Sequence, residues 1–192
     1  MTSVRHTDRD PVLDAARDSV LAVGWRRTSL AEVARRAGVS RMTIYRRWPD
    51  MTALFGDLMT REWADVLAGL DSSEDRLSRR DIARAVVDLV RLLRADELFG
   101  RMLEVDPELL LPYLLERRGR SQQLVLDLLV PLLRQGQRRG EVRRGNVHAL
   151  ARSVVLAAHG FGLSAETMVD HQVSVAILDR ELLALVERYL AP

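Results

Sequence analysis

From Val12 to Leu190 the apolar residues recur every three or four positions, and no stretch alternates apolar with polar long enough to suggest a sheet. That spacing lines them along one stripe of a helix, whereas a half-buried strand needs a period of two. The punctuation agrees. Asp10-Pro11 is an N-cap followed by proline at the first helical position, and Asp106-Pro107 repeats it. Ser29 with Glu32 has the spacing of a capping box, and Ser40, Asp50, Ser78 and Asn146 are further start signals. Ile occurs three times and aromatics make up 5% of the chain, so strand formers other than Val are scarce. These signals predict an all-α fold of about nine helices. They cover roughly 10–23, 29–37, 40–47, 50–70, 78–93, 96–103, 109–133, 146–163 and 173–190. Residues 71–78 read as a polar loop, and Pro112 and Pro131 predict kinks or breaks in the 109–133 run.

Of the 192 residues, 29 are basic and all of these are arginine; with 27 acids the net charge is +2. Without Lys or Cys little titrates between neutrality and tyrosine near pH ~10, so a sequence pI of 9.6 reflects missing titrators more than a basic surface. The distribution says more. Residues 1–55 hold ten arginines against six acids, and residues 56–192 hold 19 against 21. Between Gly24 and Trp48 lie seven arginines and a single acid, Glu32. A basic segment of short helices at one end of a mildly acidic helical body is the footprint of a DNA-facing surface. A solvated arginine face on an ordinary bundle is the competing reading.

The spacing favours DNA. Two short helices flank Ala37-Gly38-Val39-Ser40. Gly lets the chain turn sharply, Val39 fills the angle and Ser40 caps the second helix, as a helix-turn-helix requires. The second helix has Ile44 and Trp48 four apart to anchor it, which leaves Arg41, Thr43, Tyr45, Arg46 and Arg47 for a major groove.

Thr28-Ser29-Leu30-Ala31-Glu32-Val33-Ala34, Ala37-Gly38-Val39-Ser40 and Thr43-Ile44-Tyr45-Arg46-Arg47-Trp48-Pro49 resemble the TetR-type, or tetracycline-repressor-like, transcriptional regulators across roughly residues 10–58. The resemblance implies an N-terminal helix-turn-helix domain over 1–55, joined by a long helix to a ligand-binding and dimerisation domain over 56–192. It further implies a repressor that binds a palindromic duplex operator as a homodimer through its last two helices and is released by a small-molecule effector. Carried over by residue, Thr28 and Ser29 would contact phosphate, with Ser40 capping the recognition helix. Arg41, Met42 and Thr43 would lie at base edges, and Tyr45, Arg46 and Arg47 at backbone or flanking bases. For Arg46 a solvent-facing position or an ion pair within the protein is an equal alternative. Arg41 is the candidate for guanine, because a guanidinium pairs bidentately with O6 and N7. The sequence departs from the family at Met51, where a lysine is usual, so one phosphate contact is expected to be missing.

The resemblance also implies a pocket in the bundle. Trp63, Phe99, Met102, Tyr113, His159 and Phe161 are the large or polar-tipped residues placed to line one, with a plain core role as the alternative for each. A regulator whose C-terminal body only dimerises or binds a protein is the alternative for the domain.

Other classes lack their residues. No H-E-x-x-H, G-x-x-x-x-G-K-S/T, G-x-S-x-G or paired Glu-x-x-His motif occurs, so no enzyme and no cofactor are expected. His148, His159 and His171 are not at metal-ligand spacing, and with no Cys neither disulfides nor thiolate zinc can form. The longest uncharged run, Ser153 to Ala165, has 13 residues against the ~20 that span a bilayer. Arg5, Asp8 and Arg9 precede any apolar run, unlike a signal peptide. A cytoplasmic protein without a membrane partner is therefore expected.

Overall fold

The computed structural model describes residues 10–68 and 78–192, with backbone alone over 63–68. Among the described residues there are ten α-helices and no strand. They are α1 Pro11–Val23, α2 Leu30–Ala37, α3 Arg41–Arg47, α4 Met51–Ala68, α5 Arg79–Ala95, α6 Glu97–Val105, α7 Leu111–Leu115, α8 Arg120–Arg139, α9 Val147–Ser164 and α10 Val175–Tyr189. Short 3-10 turns occupy Pro107–Leu109 and Ala165–Met168. None of these helices is long and apolar enough to cross a membrane.

The starts follow from side-chain caps that satisfy otherwise orphaned amides. Asp10 accepts from Val12 N–H at 3.0 Å, Asp96 from Phe99 N–H at 2.7 Å and Asn146 from His148 N–H at 3.0 Å. The count exceeds nine because the 109–133 run divides into α7 and α8, with Pro112 in the first turn of α7. Of the kinks or breaks expected in this run, Pro131 makes no break and lies inside α8. Proline removes an N–H that would bond the carbonyl four residues back. Here Pro131 and Asp127 both face solvent, where water can take that carbonyl. Beyond Leu133 the helix continues through Gly136 to Arg139, and Val142 packs against Gly136. A Cβ on Gly136 would lie 2.5 Å from a Val142 methyl.

The helices pack as two compact units. The first joins the chain up to Asp65 with Asp96–Ser121; the second joins Val66–Ala95 with Gln122–Pro192. The resemblance implies a functional division at 55/56, whereas packing groups α6 and α7 with the N-terminal helices. In the first unit Ala16, Val20, Val33, Ile44, Leu54, Leu58, Leu98 and Met102 form a core that is almost wholly buried. Each large aliphatic removed from water there contributes roughly 1.5–3 kcal/mol. In the second unit α5, α8, α9 and α10 enclose Val90, Leu133, Ala151, Val154, Leu182 and Val186. One polar cluster interrupts it. Asp179 of α10, 4% exposed, accepts from Arg91 Nε at 2.8 Å and pairs with Arg94, both on α5. Arg94 also donates to the Phe161 carbonyl of α9 at 3.3 Å.

Candidate nucleic-acid interface

The turn between α2 and α3 is set by Gly38. Its φ of 69° is left-handed, and a Cβ there would meet no neighbour, so backbone conformation rather than space demands glycine. Val39 N–H returns to the Ala34 carbonyl at 3.0 Å and closes α2. Ser40 then caps α3, accepting from Thr43 N–H at 3.1 Å and sharing a hydroxyl–hydroxyl bond with Thr43 at 2.8 Å.

Two residues hold α3 down. Ile44 is fully buried and Trp48 is 2% exposed, with its indole N–H donating to Asp57 of α4 at 2.8 Å. Everything else on α3 faces outward: Arg41, Met42, Thr43, Tyr45, Arg46 and Arg47 are exposed, Met42 at 80%. A seven-residue helix is ~10 Å long and fits within the ~12 Å major groove. Ser29 is exposed at the start of α2, whereas Thr28 is buried and its hydroxyl donates to the Gly24 carbonyl at 2.8 Å. Met51, in place of the expected lysine, packs partly buried against the core of this unit, so its thioether does structural work.

The arginines divide into two sets that the sequence could not separate. Arg26 pairs with Asp106 and Glu108, Arg35 and Arg36 with Glu32, and Arg47 with Asp10 while stacking 4.2 Å from the Trp48 ring centre. Arg27, Arg41 and Arg46 make no ion pair among the described residues. Hydrogen bonds from Arg35 and then Arg36 hold the Glu32 carboxyl down at a pKa of about 2. Ser29, Glu32, Arg35, Val39 and Arg41 line one depression of about 360 Å³ between α2 and α3.

Sequence reasoning missed Asp57 and read Asp106 only as an N-cap, whereas its side chain makes no cap hydrogen bond. Asp106 is 2% exposed and accepts from Trp25 N–H at 2.7 Å, 81 residues away, fixing the α1–α2 turn. No local pattern signals a partner at that distance. The six pocket candidates fall in different places. Phe99 and Met102 are buried in the first unit, and Tyr113, half-buried there, carries Arg117 5.3 Å from its ring centre. His159 and Phe161 are half-buried in the second unit, where the Gln122 amide nitrogen lies 3.4 Å from His159 Nε2. Burial lowers the His159 pKa, which favours the neutral ring. The side chain of Trp63 lies outside the described residues. No group of His, Asp or Glu among them could hold a metal ion.

Residues 12–58 match the family model of bacterial regulatory proteins of the tetR family. An uncharacterized HTH-type transcriptional regulator of Mycobacterium tuberculosis (strain ATCC 25618 / H37Rv) is 38% identical over 179 residues, 93% of this chain and 92% of that protein. The fold is similar to that of the R. erythropolis repressor QsdR from the TetR family, with a TM-score of 0.68 at 16% identity, covering 93% of this chain and 92% of that one. It is also similar to FadR from Bacillus subtilis in complex with stearoyl-CoA, with a TM-score of 0.65 at 16% identity, covering 94% and 98%. These relatives are transcriptional regulators, a non-enzymatic class. The chain belongs to the TetR family of bacterial transcriptional regulators.

Proposed function

We propose that this regulator is a ligand-responsive repressor that binds a palindromic operator as a homodimer and is released by a small-molecule effector. The observation that carries the DNA side is α3 itself. Its apolar pair is sunk into the core, and every polar and basic side chain on the opposite face is exposed. Arg41, Met42 and Thr43 read base edges. Ser29, Tyr45, Arg46 and Arg47 contact backbone or flanking bases, Ser40 fixes the start of α3, and Thr28 contributes by shaping the turn before α2. In this reading residues 1–55 carry DNA recognition and 56–192 carry effector binding and dimerisation.

The homodimer reading is supported by α9 and α10. Leu156 is 69% exposed and Leu185 46%, and Ala149, Ser153 and Gly160 are exposed on the same helix as Leu156. Small residues beside exposed leucines suit close helix contact across a two-fold axis. The effector reading draws on Trp63, Phe99, Met102, Tyr113, His159 and Phe161, and on the stearoyl-CoA complex of FadR among the similar folds. Selection from a pool of randomised duplexes tests the whole proposal. It should return an inverted repeat with half-sites about one helical turn apart. An asymmetric or unenriched pool refutes it. A thermal-shift screen of small molecules, followed by operator release with any hit, tests the effector.

A further inference from the structure

Glu32 is the sole acid between Gly24 and Trp48, and the structure uses it in an unexpected way. In a capping box its carboxylate would return to the Ser29 N–H. One half of that box forms, with Ser29 Oγ accepting from Glu32 N–H at 3.3 Å. The Glu32 carboxylate instead takes Arg35 Nε at 3.0 Å, Arg35 Nη2 at 2.7 Å and Arg36 Nε at 2.9 Å. This triad does not stand apart from the recognition surface. Glu32 and Arg35 line the same depression as Ser29 and Arg41, and the Arg35 side chain is 72% exposed.

We propose that Glu32 restrains sequence-independent DNA binding by holding Arg35 and Arg36 away from phosphates. The proposal rests on the DNA-binding reading of α2 and α3. Phosphate affinity grows with each basic group that displaces a counterion. A guanidinium already bonded to a carboxylate has part of its charge neutralised and part of its donor set committed, so it adds less to phosphate binding than a free one. That loss falls on every phosphate contact whatever the sequence, while Arg41, outside the triad, remains available for base readout. The effect is to lower the non-specific background against which a specific site competes.

The test needs no known operator. Full-length protein is titrated against a labelled 30-bp duplex of arbitrary sequence between 50 and 200 mM salt. Glu32→Gln should bind more tightly than wild type at 50 mM. Two freed arginines steepen the log–log salt slope by up to ~1.8 per protomer, or roughly a tenfold larger loss of affinity across that range. Glu32→Gln combined with Arg35→Gln and Arg36→Gln should return to within about threefold of wild type at 50 mM, because the liberated cations are gone. An unchanged slope in Glu32→Gln overturns the proposal. So does a gain that survives in the triple variant, since the gain then comes from deleting the carboxylate alone. Glu32→Ala, a better helix former, repeats the measurement if Gln disturbs α2. Absence of binding by every chain at 50 mM defeats the DNA-binding reading itself and the proposal with it.

Discussion

Removing the Asp179 carboxylate should unfold the second unit far more readily than its small size suggests. Asp179 is 4% exposed on α10 and Arg94 is 12% exposed on α5, so Asp179→Ala strands a largely buried guanidinium with only the Phe161 carbonyl, at 3.3 Å. Breaking a buried pair from one side costs about 3–5 kcal/mol. The second partner, Arg91, is 52% exposed, and its share is screened to about 0–1 kcal/mol. Asp179→Asn keeps one acceptor and should cost less, about 1–3 kcal/mol. Replacing both charges, with Arg94→Leu and Asp179→Leu together, should recover most of the loss, because the stranded charge causes it. Urea unfolding at one fixed protein concentration measures all four chains, since any self-association adds to apparent stability. The pH sense is fixed as well. Burial alone would raise the Asp179 pKa, but the bonds from Arg91 and Arg94 outweigh it and hold it below the usual value. A carboxyl lowered on folding contributes above its unfolded value near ~3.9 and loses that contribution as pH falls through the folded value. The gap between wild type and Asp179→Asn should therefore be flat from pH 8 to 5 and close only in stronger acid. A loss below about 1 kcal/mol for Asp179→Ala, or a double variant no better than the single, refutes this account.

Arg41→Ala should relax selection at one base pair of each half-site by about 1–3 kcal/mol, and an unaltered profile in a randomised-site selection would exclude base readout by Arg41. Gly100→Ala on α6, where a Cβ meets nothing within 4 Å, should stabilise by about 0.5–1 kcal/mol. Gly136→Ala should destabilise by about 1 kcal/mol, because the Val142 methyl 2.5 Å away must yield and that outweighs the helix-propensity gain; denaturation midpoints of opposite sign check the pair. Burial lowers the folded pKa of His159, so its contribution is full above the unfolded value near ~6.5 and falls as pH drops below it. Melting temperatures at pH 7.5 and 5.5 should drop more for wild type than for His159→Gln, and equal drops would place the ring in water.

The elements legible in the sequence were those coded within four residues. Asp10, Ser29, Ser40 and Asn146 cap the helices that their spacing indicates, and Gly38 turns where the motif requires. The exposed face of α3 was legible for the same reason, since Ile44 and Trp48 fix which side of a short helix is buried. The misreadings came from tertiary context. Pro131 stays within α8, on its exposed side where water can take the freed carbonyl, and α8 runs past the predicted end of the 109–133 run to Arg139. Glu32 had two partners open to it, the Ser29 amide by local geometry and the arginines one turn on by charge, and charge won. The roles of Asp57, Asp106 and Asp179 were hidden, Asp106 passing for a cap, because each meets a partner on another helix or turn.

Charge shows most clearly why position must replace composition. Along the chain, residues 1–55 carry four more arginines than acids and the remainder two fewer. By packing unit the contrast disappears. The segment 96–121 brings six acids and four arginines to the N-terminal helices, leaving 15 of each in the first unit and 14 arginines against 12 acids in the second. With no net charge the unit has little long-range attraction for DNA, so its affinity for phosphate rests on where charges and hydrogen-bond donors sit at the contact face. Asp106 and Glu108 take up Arg26, and Asp10 takes up Arg47, at the edges of the motif. Arg41 and Arg46, on the exposed side of α3, keep their charge for an outside partner. Among the described residues of this segment, pairing therefore leaves Arg27 and the exposed side of α3 with uncompensated charge, and in the proposed DNA-binding reading affinity and specificity draw on the same few side chains.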